Sequence, residues 1–101
     1  MMTEEEIDRR ALRVWGKQAQ MLQVVEEMSE LSKEIIKNVS RNKDNLPELI
    51  EEAADVEITL AQLKMCYGIS QQVEEYKKKK LQVLAARVVE WEHKLGIEEA
   101  K

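Results

Sequence analysis

The sequence contains few residues that interrupt helices or cross-link a chain. Its 101 residues include three glycines, one proline, one cysteine and no phenylalanine. A single cysteine cannot form an intramolecular disulfide, which is typical of proteins from a reducing compartment. The scarcity of glycine and proline leaves long stretches of Glu, Lys, Leu, Gln and Ala, which are good helix formers. We therefore expect one all-α domain over residues 1–101.

Two further absences restrict the class of function. No apolar run approaches the roughly 18 residues of a membrane-spanning helix, and the opening MMTEEEIDRR contains no apolar signal-peptide segment. With 16 basic and 20 acidic residues, the net charge is −4, so the basic excess of a general nucleic-acid-binding protein is missing. We expect a cytoplasmic protein that binds neither a membrane nor a nucleic acid polymer. Phosphate-bearing small molecules remain possible ligands, through a metal ion.

Four helices are predicted from the apolar periodicity and the few breaks. Thr3 and the acidic residues after it indicate the start of a short helix, which ends near residue 15. Longer helices are expected over about residues 17–41, 46–67 and 70–95. The tail after Gly96, IEEAK, is expected to fray.

The third predicted helix carries apolar residues on two faces. One face contains Leu49, Ala53, Val56, Leu60, Leu63 and Tyr67, and the other contains Ala54, Ile58, Ala61 and Met65. We expect an antiparallel bundle of three long helices and the short N-terminal helix, in which the second face contacts another copy of the chain. The expected assembly is a homodimer or homotetramer. The alternative is that this face packs only against the short first helix.

Acidic residues recur at the same spacing on the second and third predicted helices. Glu27 and Glu30 lie in EEMSE, and Glu52 and Asp55 lie in EEAAD. A spacing of three residues places each pair on one side of its helix, beside the apolar stripe. Because the connecting loop is short, the two helices should pack antiparallel with these edges facing each other. Four carboxylates would then converge, with Glu34 as a fifth on the same edge.

Such convergence requires positive charge, because partly buried carboxylates repel one another. Lys33, Lys37 and Lys64 are near in sequence, but their helical phase directs them elsewhere. Oxygen ligands favour Mg²⁺ or Mn²⁺, which in enzymes commonly contact substrate phosphates. Spacing alone leaves two interpretations open: a metal site and a salt-bridged helical surface.

The two motifs also resemble a known family. The segments VVEEMSELSKEI and ELIEEAADVEITLAQL are similar to those of the MazG-like all-α nucleoside triphosphate pyrophosphohydrolases, which carry Glu-x-x-Glu on one helix and Glu-x-x-Asp on the next. The similarity covers about residues 17–67.

The resemblance implies a ligand set and a reaction. Glu27, Glu30, Glu52 and Asp55 would bind Mg²⁺, with Mn²⁺ as a substitute. The enzyme would hydrolyse a nucleoside triphosphate between its α- and β-phosphates, giving a monophosphate and pyrophosphate. Glu27, on the edge closest to the core, is our candidate for the general base that takes a proton from water.

Substrate-binding residues are harder to identify. The segment YKKKK supplies Lys77 and Lys80 as candidates for contacting the phosphates, since a basic residue of this helix often does so in the family; the alternative is a solvated lysine surface. Trp15, which lies just before the acidic helix, is the candidate for stacking on the base. It could equally be a core tryptophan.

Two competing interpretations remain. EWEH contains Glu90 and His93 in the Glu-x-x-His spacing of di-iron bundles, but those proteins need two such motifs and this chain has one histidine. The stronger alternative is a non-catalytic helical interaction module whose acidic edges are only surface. Such a module should be insensitive to Mg²⁺ and to amide replacement of Glu52 or Asp55.

Overall fold

The computed structural model describes residues 1–97, so the tail whose fraying was predicted lies, apart from Ile97, outside the described residues. Four helices follow one another along the described chain: α1 (Glu4–Trp15), α2 (Lys17–Arg41), α3 (Leu46–Tyr67) and α4 (Ser70–Leu95). The all-α prediction and the predicted helix bounds are confirmed.

The ends of the helices lie where the sequence provides capping or turn residues. The Thr3 hydroxyl accepts a hydrogen bond from the Glu6 amide at 3.1 Å and so caps α1. Helix α3 ends at Gly68, where φ is +64°. This left-handed conformation favours glycine because a Cβ atom would be strained there. The sequence thus accounts for the start of α1 and the end of α3.

The chain divides into two compact units, Met1–Ile69 and a second that begins at Ser70. In the first unit, α2 and α3 contact each other and α1 contacts both. The connection between α2 and α3 is only residues 42–45, which makes the pair an antiparallel αα-hairpin. The acidic edges of α2 and α3 are therefore brought side by side.

Few side chains of the first unit are buried, and most of those are polar. Only two apolar side chains, Ala11 and Val24, are buried. Five polar or charged residues are buried as well: Asp8, Gln20, Asn45, Thr59 and Gln62. Large apolar side chains such as Ile35, Val39 and Ile50 are exposed. Buried polar groups require partners, and each of these five side chains forms a hydrogen bond.

Helix α4 buries none of its side chains. Five large apolar residues follow steps of three and four along it and are all exposed: Leu81, Leu84, Val88, Trp91 and Leu95. We call this row the α4 seam. None of the helices within residues 1–97 is both long enough and apolar enough to cross a membrane.

Candidate functional site

The structure brings together three of the four predicted metal ligands. Glu27 from α2 and Glu52 and Asp55 from α3 each place a carboxylate oxygen within 4.8 Å of the others, and all three are half-buried. We call these residues the acidic cluster. The convergence follows from local geometry, because the three-residue spacing puts Glu52 and Asp55 on one side of α3 and the hairpin turns that side toward α2. The predicted meeting of the two edges is confirmed for these three groups.

Glu52 is the least satisfied member of the acidic cluster. Its Oε2 atom is enclosed and has no hydrogen-bond partner. Burial raises the pKa of the Glu52 carboxyl, and the nearby negative charge of Glu27 raises it further, followed by the charges of Asp55 and Glu30. The ion pairs formed within the described residues are Lys37–Glu34 and Lys94–Glu90, so neither supplies a cation here. An enclosed carboxylate oxygen in an acidic surrounding is the environment that a hard cation fits.

Glu27 is held in position by a neighbour on its own helix. The Gln23 side-chain amide donates a hydrogen bond to Glu27 Oε1 at 2.7 Å. The sequence analysis did not select Gln23. Its only signal was the spacing of four residues, which places an amide on the same edge one turn earlier.

Glu30 lies at the rim of this arrangement. It is exposed and is not part of the group within 4.8 Å, yet its negative charge still contributes to the raised pKa of Glu52. The structure thus places Glu30 near the acidic cluster without bringing it into contact. Its role as a fourth ligand stays a prediction.

Glu34 belongs to a different arrangement, contrary to the expectation that it joins the converging edge. Lys37 Nζ lies 3.4 Å from Glu34 Oε1. Lys37 therefore contacts one of the carboxylates from which its helical phase was expected to direct it away. The Asn45 amide donates to Glu34 Oε2 at 3.1 Å and to the Glu34 backbone carbonyl at 2.9 Å. These contacts lower the pKa of Glu34, with the Asn45 hydrogen bond as the largest cause, although burial opposes them.

A cleft of about 470 Å³ adjoins the acidic cluster within the first unit. Glu27 and Asp55 lie on its wall together with Trp15, Gln20, Gln23 and Gln62. Trp15 is 65% exposed, so it is not the core tryptophan of the alternative interpretation. Its exposed ring and two of the carboxylates share one open cavity, where an aromatic platform and anionic groups can act on one ligand.

Three buried polar side chains form a hydrogen-bonded chain beside this cleft. The Gln20 amide donates to Gln62 Oε1 at 2.6 Å, and the Gln62 amide donates to Asp8 Oδ1 at 3.1 Å. We call this chain the amide relay. All three residues are at most 8% exposed. The sequence analysis missed it, and the available signal was weak: two glutamines at inward-facing positions of α2 and α3.

The remaining predicted substrate residues lie on α4, in the second unit. Lys77 and Lys80 are exposed, and Lys80 Nζ lies 5.5 Å from the centre of the Tyr76 ring. Their contact with phosphate stays a prediction. Glu90 is paired with Lys94 at 3.1 Å and His93 is exposed near the end of α4. Within residues 1–97, neither belongs to a group of potential metal ligands, so the di-iron interpretation gains no support.

Comparisons with protein-family models, with curated proteins and with solved structures gave no match to this chain. The resemblance to the MazG-like enzymes stays a prediction from the paired acidic motifs.

Proposed function

We propose that the protein is a Mg²⁺-dependent nucleoside triphosphate pyrophosphohydrolase, which converts an NTP or dNTP into the monophosphate and pyrophosphate. The observation that carries the proposal is the enclosed Glu52 Oε2, which has no partner although Glu27 and Asp55 crowd around it. An orphan buried acceptor costs stability unless another group occupies the position. A metal ion is the group that best accounts for three carboxylates in this arrangement.

The donor set favours Mg²⁺ or Mn²⁺ over softer metals. All ligand atoms of the acidic cluster are carboxylate oxygens, without histidine or cysteine, whereas zinc commonly takes nitrogen or sulfur ligands. Mg²⁺ typically binds one or two carboxylates and completes its shell with water and substrate phosphates. Three half-buried carboxylates beside an open cleft suit that mode, with Glu30 available at the rim.

The residues of the acidic cluster have two proposed roles, which are metal binding and proton acceptance. Glu52 and Asp55 would hold the cation on α3, and Glu27 lies on the wall of the cleft from α2. Mg²⁺, when bound, would supply positive charge that offsets the charge of the triphosphate and would make water in the site easier to deprotonate. Glu27, fixed by Gln23, accepts the proton that water releases as the bond between the α- and β-phosphates breaks. One water is consumed for each monophosphate and pyrophosphate formed.

The rest of the cleft supports a nucleotide as the substrate. The exposed ring of Trp15 lies in the same cavity as Glu27 and Asp55. A tryptophan face stacks on any nucleobase, and base stacking contributes about 1–3 kcal/mol. Lys77 and Lys80 remain candidates for contacting the phosphates, as the family resemblance implies.

A homo-oligomer, dimer or tetramer, is part of this proposal. The first unit buries only two apolar side chains and leaves many large apolar side chains exposed, and the α4 seam is exposed as well. Association with another copy would cover such surfaces. The seam has coiled-coil spacing, and in a parallel pair of α4 helices Arg87 of one copy and Glu92 of the other occupy the flanking positions where opposite charges attract. Two heptads are short for an independent coiled coil. The exposed apolar side chains of α2 and α3 offer a separate surface to another copy.

Charge exchange tests this pairing. Sedimentation should show weaker association for Arg87→Glu and for Glu92→Arg, and recovery in the double variant. If the double variant associates no better than the singles, the second copy does not pair through parallel α4 helices.

The function is tested by incubating the protein with each common ribo- and deoxyribonucleoside triphosphate, with and without Mg²⁺. Pyrophosphate and orthophosphate are measured separately, and the nucleotide product is identified. Mg²⁺-dependent release of pyrophosphate with an equal amount of monophosphate is the expected result. Release of orthophosphate alone would contradict the cleavage position. No turnover, combined with no thermal shift in Mg²⁺, would favour the non-catalytic interaction module.

A further inference from the structure

The amide relay lies at the end of the cleft opposite the acidic cluster. Gln20 precedes Glu27 by seven residues on α2, and Gln62 follows Asp55 by seven residues on the antiparallel α3. Seven residues of helix span about 10 Å. That separation corresponds to the reach from the phosphates of a nucleotide to its base. A nucleotide whose phosphates are at the acidic cluster therefore brings its base to Gln20 and Gln62, beside the exposed Trp15 ring.

The direction of hydrogen bonding along the relay is determined by Asp8. A carboxylate accepts hydrogen bonds but cannot donate them, so Gln62 must present its NH₂ group to Asp8. The Gln62 carbonyl oxygen then faces Gln20, which must present its own NH₂ group. The carbonyl oxygen of Gln20 is left outside the relay, at a residue that lines the cleft. Reversing either amide would bring two acceptors together.

From this geometry we infer that Gln20 and Gln62 form the base-reading wall of the cleft and that the relay favours a base carrying an exocyclic amino group, such as cytosine or adenine, over its keto counterpart. The inference rests on the proposed function and adds the substrate class. The amino group donates to the fixed Gln20 carbonyl oxygen. A keto oxygen at that position would meet another acceptor, and unpaired buried acceptors are strongly disfavoured.

Asp8 is a positioning residue in this scheme. It lies on α1, separated from the Gln20 amide by Gln62, and acts through the two amides. Asparagine at position 8 has nearly the same shape but can present either an oxygen or an NH₂ group. In Asp8→Asn both glutamine amides are free to reverse together, so the wall should accept amino and keto bases alike.

The test compares bases that differ only in this group. kcat/KM is measured for dCTP against dUTP and for ATP against ITP, in the wild type, Asp8→Asn and Gln20→Met. Gln18→Met is the matched control, because Gln18 is an exposed glutamine on the same helix and lies outside the relay. Binding of CMP and UMP without metal is followed by the fluorescence of Trp15 in a Trp91→Phe background, which leaves one tryptophan and does not depend on turnover.

The wild type and the control should favour the amino base by about tenfold or more in kcat/KM, the effect of one mismatched buried hydrogen bond. Both relay variants should bring that ratio close to one, and Asp8→Asn should retain its Mg²⁺ dependence. Equal turnover of amino and keto bases by the wild type, or a preference for keto bases, overturns the inference while the proposed function stands. Neither binding nor hydrolysis of any nucleotide overturns the proposed function and the inference together.

Discussion

Two acidic residues on the same edge of α2 have opposite surroundings. Glu27 and Glu34 are seven residues apart, about two helical turns, so they occupy similar positions relative to α3. Glu34 contacts Lys37 and Asn45, and its pKa is lowered, chiefly by the Asn45 hydrogen bond. Glu27 instead faces Glu52 and Asp55, and the pKa of Glu52 is raised by burial and by that neighbouring charge. Glu34 therefore has a cationic partner and a hydrogen-bond donor within the protein, whereas the acidic cluster contains an enclosed oxygen without a partner.

The contacts of these carboxylates distinguish a structural carboxylate from a candidate metal ligand, which their sequence spacing does not. Both residues belong to Glu-rich motifs, and both are partly buried. Only the acidic cluster leaves an enclosed oxygen without a partner. The contacts of Glu34 are complete within the fold, because Asn45 connects the start of α3 to α2 through that residue. Neither of the two ion pairs in the described residues offsets the charges of the acidic cluster in this way, and the proposed cation would do so.

The largest expected effect is on activity. Glu52→Gln and Asp55→Asn should each lower kcat/KM for the best nucleotide by about a hundredfold or more, because even outer partners of metal ligands contribute 10- to 100-fold. Glu34→Gln is the matched control on the neighbouring arrangement and should retain wild-type turnover once folding is confirmed by circular dichroism. Full activity in Asp55→Asn would show that the acidic cluster is not the catalytic site.

The response to metal should divide the two arrangements in the same way. Mg²⁺ at about a hundred times its dissociation constant should raise the Tm of the wild type by more than about 10 °C. Glu34→Gln should show the same increase, whereas Asp55→Asn should show little. Calorimetric scans in EDTA and in increasing Mg²⁺ measure this. An equal increase in all three proteins would place the cation elsewhere on the surface.

The sequence was sufficient to predict the helices and the three residues of the acidic cluster. Helix ends depend on local signals, such as the Thr3 cap and Gly68 at the end of α3, and these operate regardless of tertiary structure. The meeting of Glu27 with Glu52 and Asp55 also followed from spacing plus a short loop. Periodicity is enough wherever the relevant partner lies on the next helix at a fixed phase.

The amide relay and the Glu34 arrangement could not be predicted in this way. A glutamine or asparagine has several possible partners, and which one it bonds depends on three-dimensional positions that no single helix defines. Gln62 bonds Asp8 across 54 positions of sequence. Lys37 reaches Glu34 through its long flexible side chain, which helical phase does not constrain. Apolar phase does not determine burial either, because Ile58 and Leu60 lie on the apolar faces of α3 and are both exposed.

Replacing Asn45 tests how much its contacts with Glu34 and Asn38 stabilise the fold, independently of the acidic cluster. Asn45→Ala removes the hydrogen bonds to Glu34 and the one accepted from Asn38 at 3.1 Å. Because Asn45 is 6% exposed, loss of its amide should lower the free energy of unfolding by about 1–3 kcal/mol in urea titrations. Gln71→Ala, an exposed amide on α4, is the control. If Asn45→Ala is as stable as the control, the connection through Asn45 does not stabilise the hairpin.

The smallest expected effect is the pH dependence of stability, measured in EDTA from about pH 7 to about pH 3. The pKa of Glu34 is lowered in the folded protein, so Glu34 stabilises the fold above the ordinary value of 4.5 and this contribution disappears as pH falls through the folded pKa. The pKa of Glu52 is raised, so its favourable contribution is complete below 4.5 and is lost as pH rises through the folded pKa. At neutral pH, Glu34→Gln should therefore be less stable than the wild type and Glu52→Gln more stable, and both differences should diminish toward acid. Urea titrations across this range measure the two differences, and a shared sign at neutral pH would contradict the contrast between the arrangements. Opposite signs would show that contacts within the fold stabilise the charged Glu34 carboxylate, whereas the charged acidic cluster destabilises the fold in the absence of a cation.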